Sequence, residues 1–317
     1  MLLQIILFFI GLAGLYFGAE WLVKGASRFA RSFNIRPIVI GLTIVAFGTS
    51  TPELVTSIMA GINHLNDIAI GNIVGSNIAN IGLILGLTAI VQPLKVDMKL
   101  ISREMPIVIG ISLLLYFMGW DSVLSRREGI ILMAGILAYT VYVYRAALRE
   151  SKSVEKEFLE YEESIGATSD NLKKDIVWII VGLGALIGGA YLLVHSAVYI
   201  ARVVGISELV IGLTIIAVGT SLPELATSMV ATIRKESDIS VGNVLGSNIF
   251  NILAILGIAS IIQPLQINTA SLRIDMPVML LFGIVLVPII TWKFMITRIQ
   301  GFLLLTGYSI YILWLFK

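Results

Sequence analysis

The stretch 40–94, IGLTIVAFGTSTPELVTSIMAGINHLNDIAIGNIVGSNIANIGLILGLTAIVQPL, aligns without a gap to 211–265, IGLTIIAVGTSLPELATSMVATIRKESDISVGNVLGSNIFNILAILGIASIIQPL. The offset is 171 residues, and 33 of the 55 positions are identical. The same offset pairs GLAGLYFGAEWLV at 11–23 with GLGALIGGAYLLV at 182–194, and Glu104-Met105-Pro106 with Asp275-Met276-Pro277. This is a duplication covering most of the 317-residue chain.

The duplicated unit is built for lipid. The chain is 57% hydrophobic and 13% charged, against about 25% charged in an average soluble domain. A spanning helix needs about 20 largely apolar residues. Reading from charge to charge gives ten candidates: 2–23, 37–62, 68–92, 105–120, 129–146, 176–200, 208–233, 239–263, 275–292 and 299–316. No basic stretch precedes the first, so it reads as a retained span and not a cleaved signal peptide. Five spans fall in each copy. An odd number sends the second copy in from the opposite side, so the expected fold is an all-α membrane protein. It has ten transmembrane helices in two inverted five-helix repeats, with broken helices at the midplane. The divisions are 1–146 for the first repeat, 147–174 for a linker and 175–317 for the second repeat.

Placing the N-terminus outside puts 17 of the 22 Lys and Arg residues in cytoplasmic loops. The positive-inside rule therefore favours both termini outside and the linker in the cytoplasm, with the chain in the cell membrane. The linker opens as a charged helix, RESKSVEKEFLEYEES, and reads as a solvated face. A net charge of +2 gives no argument for nucleic acid. The absence of cysteine excludes disulfides and thiolate sites. Two histidines are too few for an imidazole-based centre.

Between Arg36 and Asp67 the only formal charge is Glu53, directly after Pro52. Pro52 lacks an N–H and clashes with the carbonyl four residues back, so it interrupts the helix. Irregular backbone at this depth survives only where protein or a polar cavity covers it. Thr49, Ser50 and Glu53 stand around the break, and Thr220, Ser221 and Glu224 repeat them beside Pro223. On the next span Asn72, Ser76 and Asn80 recur every four residues and share a helix face. Asn243, Ser247 and Asn251 are their equivalents. Gly71 and Gly75, like Gly242 and Gly246, have the spacing that lets another helix approach closely.

All these groups offer oxygen, which suits hard cations such as calcium and not soft metals. Two carboxylates balance one divalent ion or two monovalent ones. An intramembrane Glu is functional by default. Asn72, Asn77, Asn243 and Asn248 are expected to cap or bridge helices, and Glu20 and Lys24, four apart, to form a local ion pair. His64 and His195 are given no specific role. Trp120, Trp178, Trp292 and Trp314 read as interfacial anchors.

The motifs GTSTPE (48–53) with GNIVGSNIAN (71–80), and GTSLPE (219–224) with GNVLGSNIFN (242–251), resemble the α-repeats of the sodium/calcium exchanger family, within the cation/calcium exchanger superfamily. The short central loop resembles the prokaryotic branch. The resemblance implies Glu53 and Glu224 as central ligands shared by calcium and sodium. Thr49, Ser50, Thr220 and Ser221 would add hydroxyl or carbonyl oxygens, and Ala46 and Ala217 backbone carbonyls. Ser76 and Ser247 would complete sodium sites, with Asn80 and Asn251 lining the centre. Spans 1 and 6 would be the sliding gate helices. Some relatives carry Asp where Asn251 stands, including potassium-dependent exchangers; a neutral residue here argues against potassium dependence.

The expectation is an antiporter, not an enzyme, that exchanges sodium for calcium by alternating access. Calcium and sodium are the transported ions, there is no organic cofactor, and the chain works as a monomer in the lipid bilayer. A proton/calcium antiporter is the alternative, since two midplane Glu could carry protons; the Ser, Thr and Asn richness favours sodium. A calcium channel is a further alternative, which two half-sites on inverted repeats fit less well.

Overall fold

The computed structural model describes residues 1–33, 35–98, 100–165, 172–205 and 217–315. The first nine residues of the expected span 208–233, and residues 166–171 of the expected linker, lie outside the described residues. So does Lys99.

The chain is helical nearly throughout. In order the helices are α1 (Leu2–Ser32), α2 (Pro37–Thr49), α3 (Thr51–Ile62), α4 (Asn66–Val91), α5 (Leu100–Asp121), α6 (Arg126–Ile165), α7 (Leu172–Val204), α8 (Leu222–Ile233), α9 (Ser237–Ile262), α10 (Ser271–Thr291) and α11 (Arg298–Leu315). A short turn, Ala217–Gly219, precedes α8. Among the described residues seven helices are long and apolar enough to cross a bilayer, or eight with α2 and α3 taken as one bent span. The expected charged linker helix is continuous with its span: α6 runs unbroken to Ile165.

Wide π-helical turns interrupt α4 at Asn80–Leu85 and α9 at Asn251–Leu256. The two stretches are equivalent at the offset of 171. A second equivalent pair opens α5 at Leu100–Glu104 and α10 at Ser271–Asp275. Single-turn π-bulges of this kind are frequent at functional sites.

Contacts divide the chain into two compact units, each drawing on both halves of the duplicated sequence. The first comprises Met1–Thr49 and Tyr139–Asn243. Its centre is the pairing of α1 with α7. A Cβ added at Gly11 would lie 2.6 Å from Leu193 N, and one at Gly18 2.6 Å from Leu186 N. In return, a Cβ on Gly182 would lie 2.6 Å from Leu22 N. The two backbones touch because no side chain separates them, which is how small residues join helices in lipid. Leu15, Ala19, Leu22 and Ala26 of α1 bury against Ile179, Leu186 and Ala190 of α7, with Val230 and Ala231 of α8 in the same cluster.

The second unit comprises Ser50–Ala138 and Val244–Lys317. Two short antiparallel clasps tie its halves together. Leu94 and Lys95 pair with Ile296 and Met295, while Val123 and Leu124 pair with Gln266 and Leu265. Leu94 and Leu265 are equivalents at the repeat offset, so each half contributes the same strand to one clasp. Leu94, Leu124, Leu265 and Ile296 are fully buried there. Helix α4 meets α11 at Gly86, where an added Cβ would lie 3.0 Å from Gly301 O.

The glycines of the second motif depart from expectation. Among the described residues nothing lies within 4 Å of a Cβ built at Gly71 or Gly75. In the other copy Gly242 does take a close neighbour, with its Cβ position 2.9 Å from Ile38 O of α2. The same spacing thus serves close packing in one copy and leaves an open helix face in the other.

Candidate functional site: two proline-started helices and an asparagine bridge

The helix break predicted around Pro52 occurs at Ser50, whose backbone (φ −79°, ψ 8°) leaves the helical basin. Ser221 repeats it (φ −87°, ψ 7°). Pro52 and Pro223 then occupy the first turn of α3 and α8. There the missing N–H is one that a helix start leaves unpaired anyway. The prolines therefore start helices at mid-span as much as they stop them. Glu53 and Glu224 lie in those first turns, where the helix dipole favours negative charge. Each is 1% exposed.

The break holds the hydroxyls close. Thr49 is fully buried, and its Oγ1 donates to Asn243 Oδ1 at 3.1 Å, with the Ala46 carbonyl 3.4 Å away. Ser50 and Ser221 are buried at the breaks themselves, and Thr220 is half-buried. Ala46 sits in the last turn of α2 and Ala217 opens the turn before α8.

A repeated brace fixes the backbone under each carboxylate. Asn72 Nδ2 donates to the Glu53 carbonyl (3.4 Å) and to Ser57 Oγ (3.0 Å). Asn243 Nδ2 donates to the Glu224 carbonyl (3.3 Å) and to Ser228 Oγ (3.0 Å). One side chain thus ties two turns of the proline-started helix to the helix that follows it. These asparagines bridge helices, as expected.

Asn77, Asn80, Asn248 and Asn251 form a closed bridge between α4 and α9 inside the second unit. Asn77 Nδ2 donates to the Asn248 backbone carbonyl (3.3 Å) and Asn248 Nδ2 to that of Asn77 (3.4 Å). A carbonyl only accepts, so the amide orientation of both residues is set. Their side-chain oxygens must then accept, and they do: Asn251 Nδ2 reaches Asn77 Oδ1 and Asn80 Nδ2 reaches Asn248 Oδ1, both at 2.9 Å. This in turn fixes Asn80 and Asn251, whose own Oδ1 atoms are buried and accept no hydrogen bond. Ser247 Oγ is likewise buried without a hydrogen-bond partner, and Ser76 is buried on the equivalent turn. A buried polar atom left unsatisfied is costly, and a bare amide oxygen is a hard-cation donor. Asn80 and Asn251 each open a π-helical turn.

The model of the sodium/calcium exchanger protein family matches residues 3–145 and 174–317. The chain belongs to this family. Among its relatives, the Methanosarcina acetivorans protein named sodium/calcium exchanger MaX1 is 33% identical, with 97% of each chain covered. A putative antiporter, CaxA, of Alkalimonas amylolytica is 40% identical over 97% of each chain. A structure of the sodium-calcium exchanger NCX_Mj soaked with 2.5 mM Na+ and 0.1 mM Ca2+ superposes with a TM-score of 0.85. It is 34% identical, covering 99% of this chain and 98% of the other.

In this exchanger-family chain the two halves of each motif have separate tasks. Asn72 and Asn243 hold carbonyls, while Asn77 orients Asn251 and Asn248 orients Asn80. Each orienting pair joins the two copies, so it is visible only in three dimensions. One smaller expectation changes. Glu20 pairs with Arg234 and not with Lys24, whose ammonium lies 5.5 Å over the Trp178 ring. His64 Nδ1 stands 3.4 Å from Gln263 Nε2, and His195 stacks on Tyr191. Of the four tryptophans read as anchors, Trp120, Trp292 and Trp314 are exposed and Trp178 is half-buried.

Proposed function

We propose that the chain exchanges calcium against sodium across a membrane, driven by the sodium gradient. The observation that carries this reading is the pair of buried amide oxygens, Asn80 Oδ1 and Asn251 Oδ1, held without a hydrogen-bond donor by the asparagine bridge. Oxygens in that state suit a hard cation, and sodium as well as calcium. A proton needs no such shell. Membership of the exchanger family, and the names of MaX1 and NCX_Mj, support the same ions.

In this reading Glu53 and Glu224 are the charged ligands, joined by Thr49, Ser50, Thr220, Ser221, Ser76 and Ser247 and by the carbonyls of Ala46 and Ala217. An ion deep in a membrane is expensive unless its charge is matched. Two carboxylates match one calcium or two sodium ions, so either load lowers the barrier to movement and the two compete. The chain comprises ten spans as two inverted five-helix repeats, with both termini outside and the 147–174 linker in the cytoplasm. Helices α1 and α7, in glycine-mediated backbone contact, slide as one body to alternate access.

Radioactive calcium uptake into proteoliposomes tests the coupling. An outward sodium gradient should drive uptake, and collapsing that gradient should stop it. Uptake that ignores sodium and follows a pH gradient would replace this reading with proton/calcium exchange.

A further inference from the structure

A cavity of about 240 Å³ lies in the first unit, lined by Glu20, Val23, Lys24, Ser27, Arg28, Arg31, Arg234 and Glu236. It holds four cations and two carboxylates, a net of two positive charges. Both carboxylates are engaged: Glu236 accepts from Ser27 Oγ at 2.7 Å and pairs with Arg31 at 3.3 Å, and Glu20 pairs with Arg234. Among the described residues neither Lys24 nor Arg28 has a carboxylate partner.

The depth of the cavity is marked twice. Lys24 follows the 22 residues of the first apolar stretch, 2–23, about the length that crosses the hydrocarbon core. Trp21 and Trp178 lie beside it with ring centroids 5.8 Å apart, and Lys24 caps the Trp178 ring. Tryptophans of this kind sit at headgroup level. Basic pockets between spanning helices at this level suit anionic lipid headgroups.

We infer that this cavity binds the phosphate of an anionic phospholipid headgroup, with Lys24 and Arg28 as its charge partners. Arg31 and Arg234 are held in place by their carboxylates and shape the wall. The headgroup lies against α1, facing the turn after α8 at Arg234–Glu236, both within the first unit.

The test titrates phosphatidylglycerol and, separately, phosphatidylcholine into the full chain in mixed micelles, counting bound lipid by native mass spectrometry. Near a membrane surface each Lys or Arg is worth about fivefold in affinity for anionic lipid. Lys24→Gln and Arg28→Gln should each weaken phosphatidylglycerol binding about that much, the double variant more, with phosphatidylcholine unaffected and the melting temperature retained. Arg28→Lys, which keeps the charge, should retain binding. Undiminished phosphatidylglycerol binding by the double variant overturns the assignment, as does an equal loss in Arg28→Lys, which would make packing the cause. Displacement of the lipid by millimolar inorganic phosphate would make the cavity a soluble-anion site and overturn the lipid source.

Discussion

Asn251 donates its side-chain N–H to Asn77 Oδ1 at 2.9 Å, a contact made across 174 positions of sequence. Its mirror is Asn80 to Asn248 at the same distance. The two contacts leave Asn80 Oδ1 and Asn251 Oδ1 as buried oxygens with no donor. The duplication thus does more than double a motif: each copy orients the amide of the other.

Asn77→Ala removes the acceptor of Asn251 and the donor to the Asn248 carbonyl together. Leaving such buried groups unsatisfied costs roughly 1–3 kcal/mol each. A lower melting temperature is expected, and the stabilisation by added calcium should shrink as well, because the Asn251 oxygen is no longer held. Thermal melts with and without calcium read both effects. An unchanged calcium shift would show that the bridge orients nothing that the ion uses.

Glu53→Gln and Glu224→Gln keep shape and hydrogen-bonding capacity but remove charge. Each should abolish calcium uptake in proteoliposomes while the protein remains folded. The thermal shift caused by calcium should disappear too, since a ligand stabilises only the state that binds it. Near-normal uptake by both variants would refute the assignment of the carboxylates.

Gly18→Val and Gly182→Val place a side chain where backbone atoms of the facing helix lie 2.6 Å from the added Cβ. The pair α1–α7 must then separate. Overpacking of this kind costs typically 1–3 kcal/mol, and exchange should fall along with stability. Size-exclusion and melting profiles, followed by transport, distinguish misfolding from impaired movement.

Gly71→Ala is the contrasting case. Its Cβ meets nothing within 4 Å among the described residues, and alanine is favoured over glycine in a helix by about 1 kcal/mol. The melting temperature should hold or rise. Loss of exchange in a protein of undiminished stability would show that this open helix face is covered at another stage of the cycle.

Much of this is legible in the residues themselves. Pro52 and Glu53 in an apolar run mark the break, and the repeat at 171 residues marks its twin, because lipid tolerates neither feature without a reason. The break itself falls at Ser50, two residues before the proline, since proline is at ease in a first helical turn. The α1–α7 contact is foreshadowed by glycines at 11, 14 and 18 and at 182 and 189. Glycine spacing fails at Gly71 and Gly75, where it states only that a helix can approach. Whether one does depends on what the rest of the chain places there. Glu20 illustrates the same limit: helix geometry offers Lys24, but the fold brings Arg234, on a turn more than two hundred residues away.

The sequence by itself determined the membrane class, the duplicated motifs and the chemistry of their donors, because hydropathy, helix breaking and oxygen ligation are properties of residues and short spacings. Only the tertiary structure decided which asparagines brace backbone, which orient one another, and which oxygens are left bare. A hydrogen bond between equivalent residues of two repeats has no local signature. It exists only when folding brings the amides of α4 and α9 within hydrogen-bonding reach of each other.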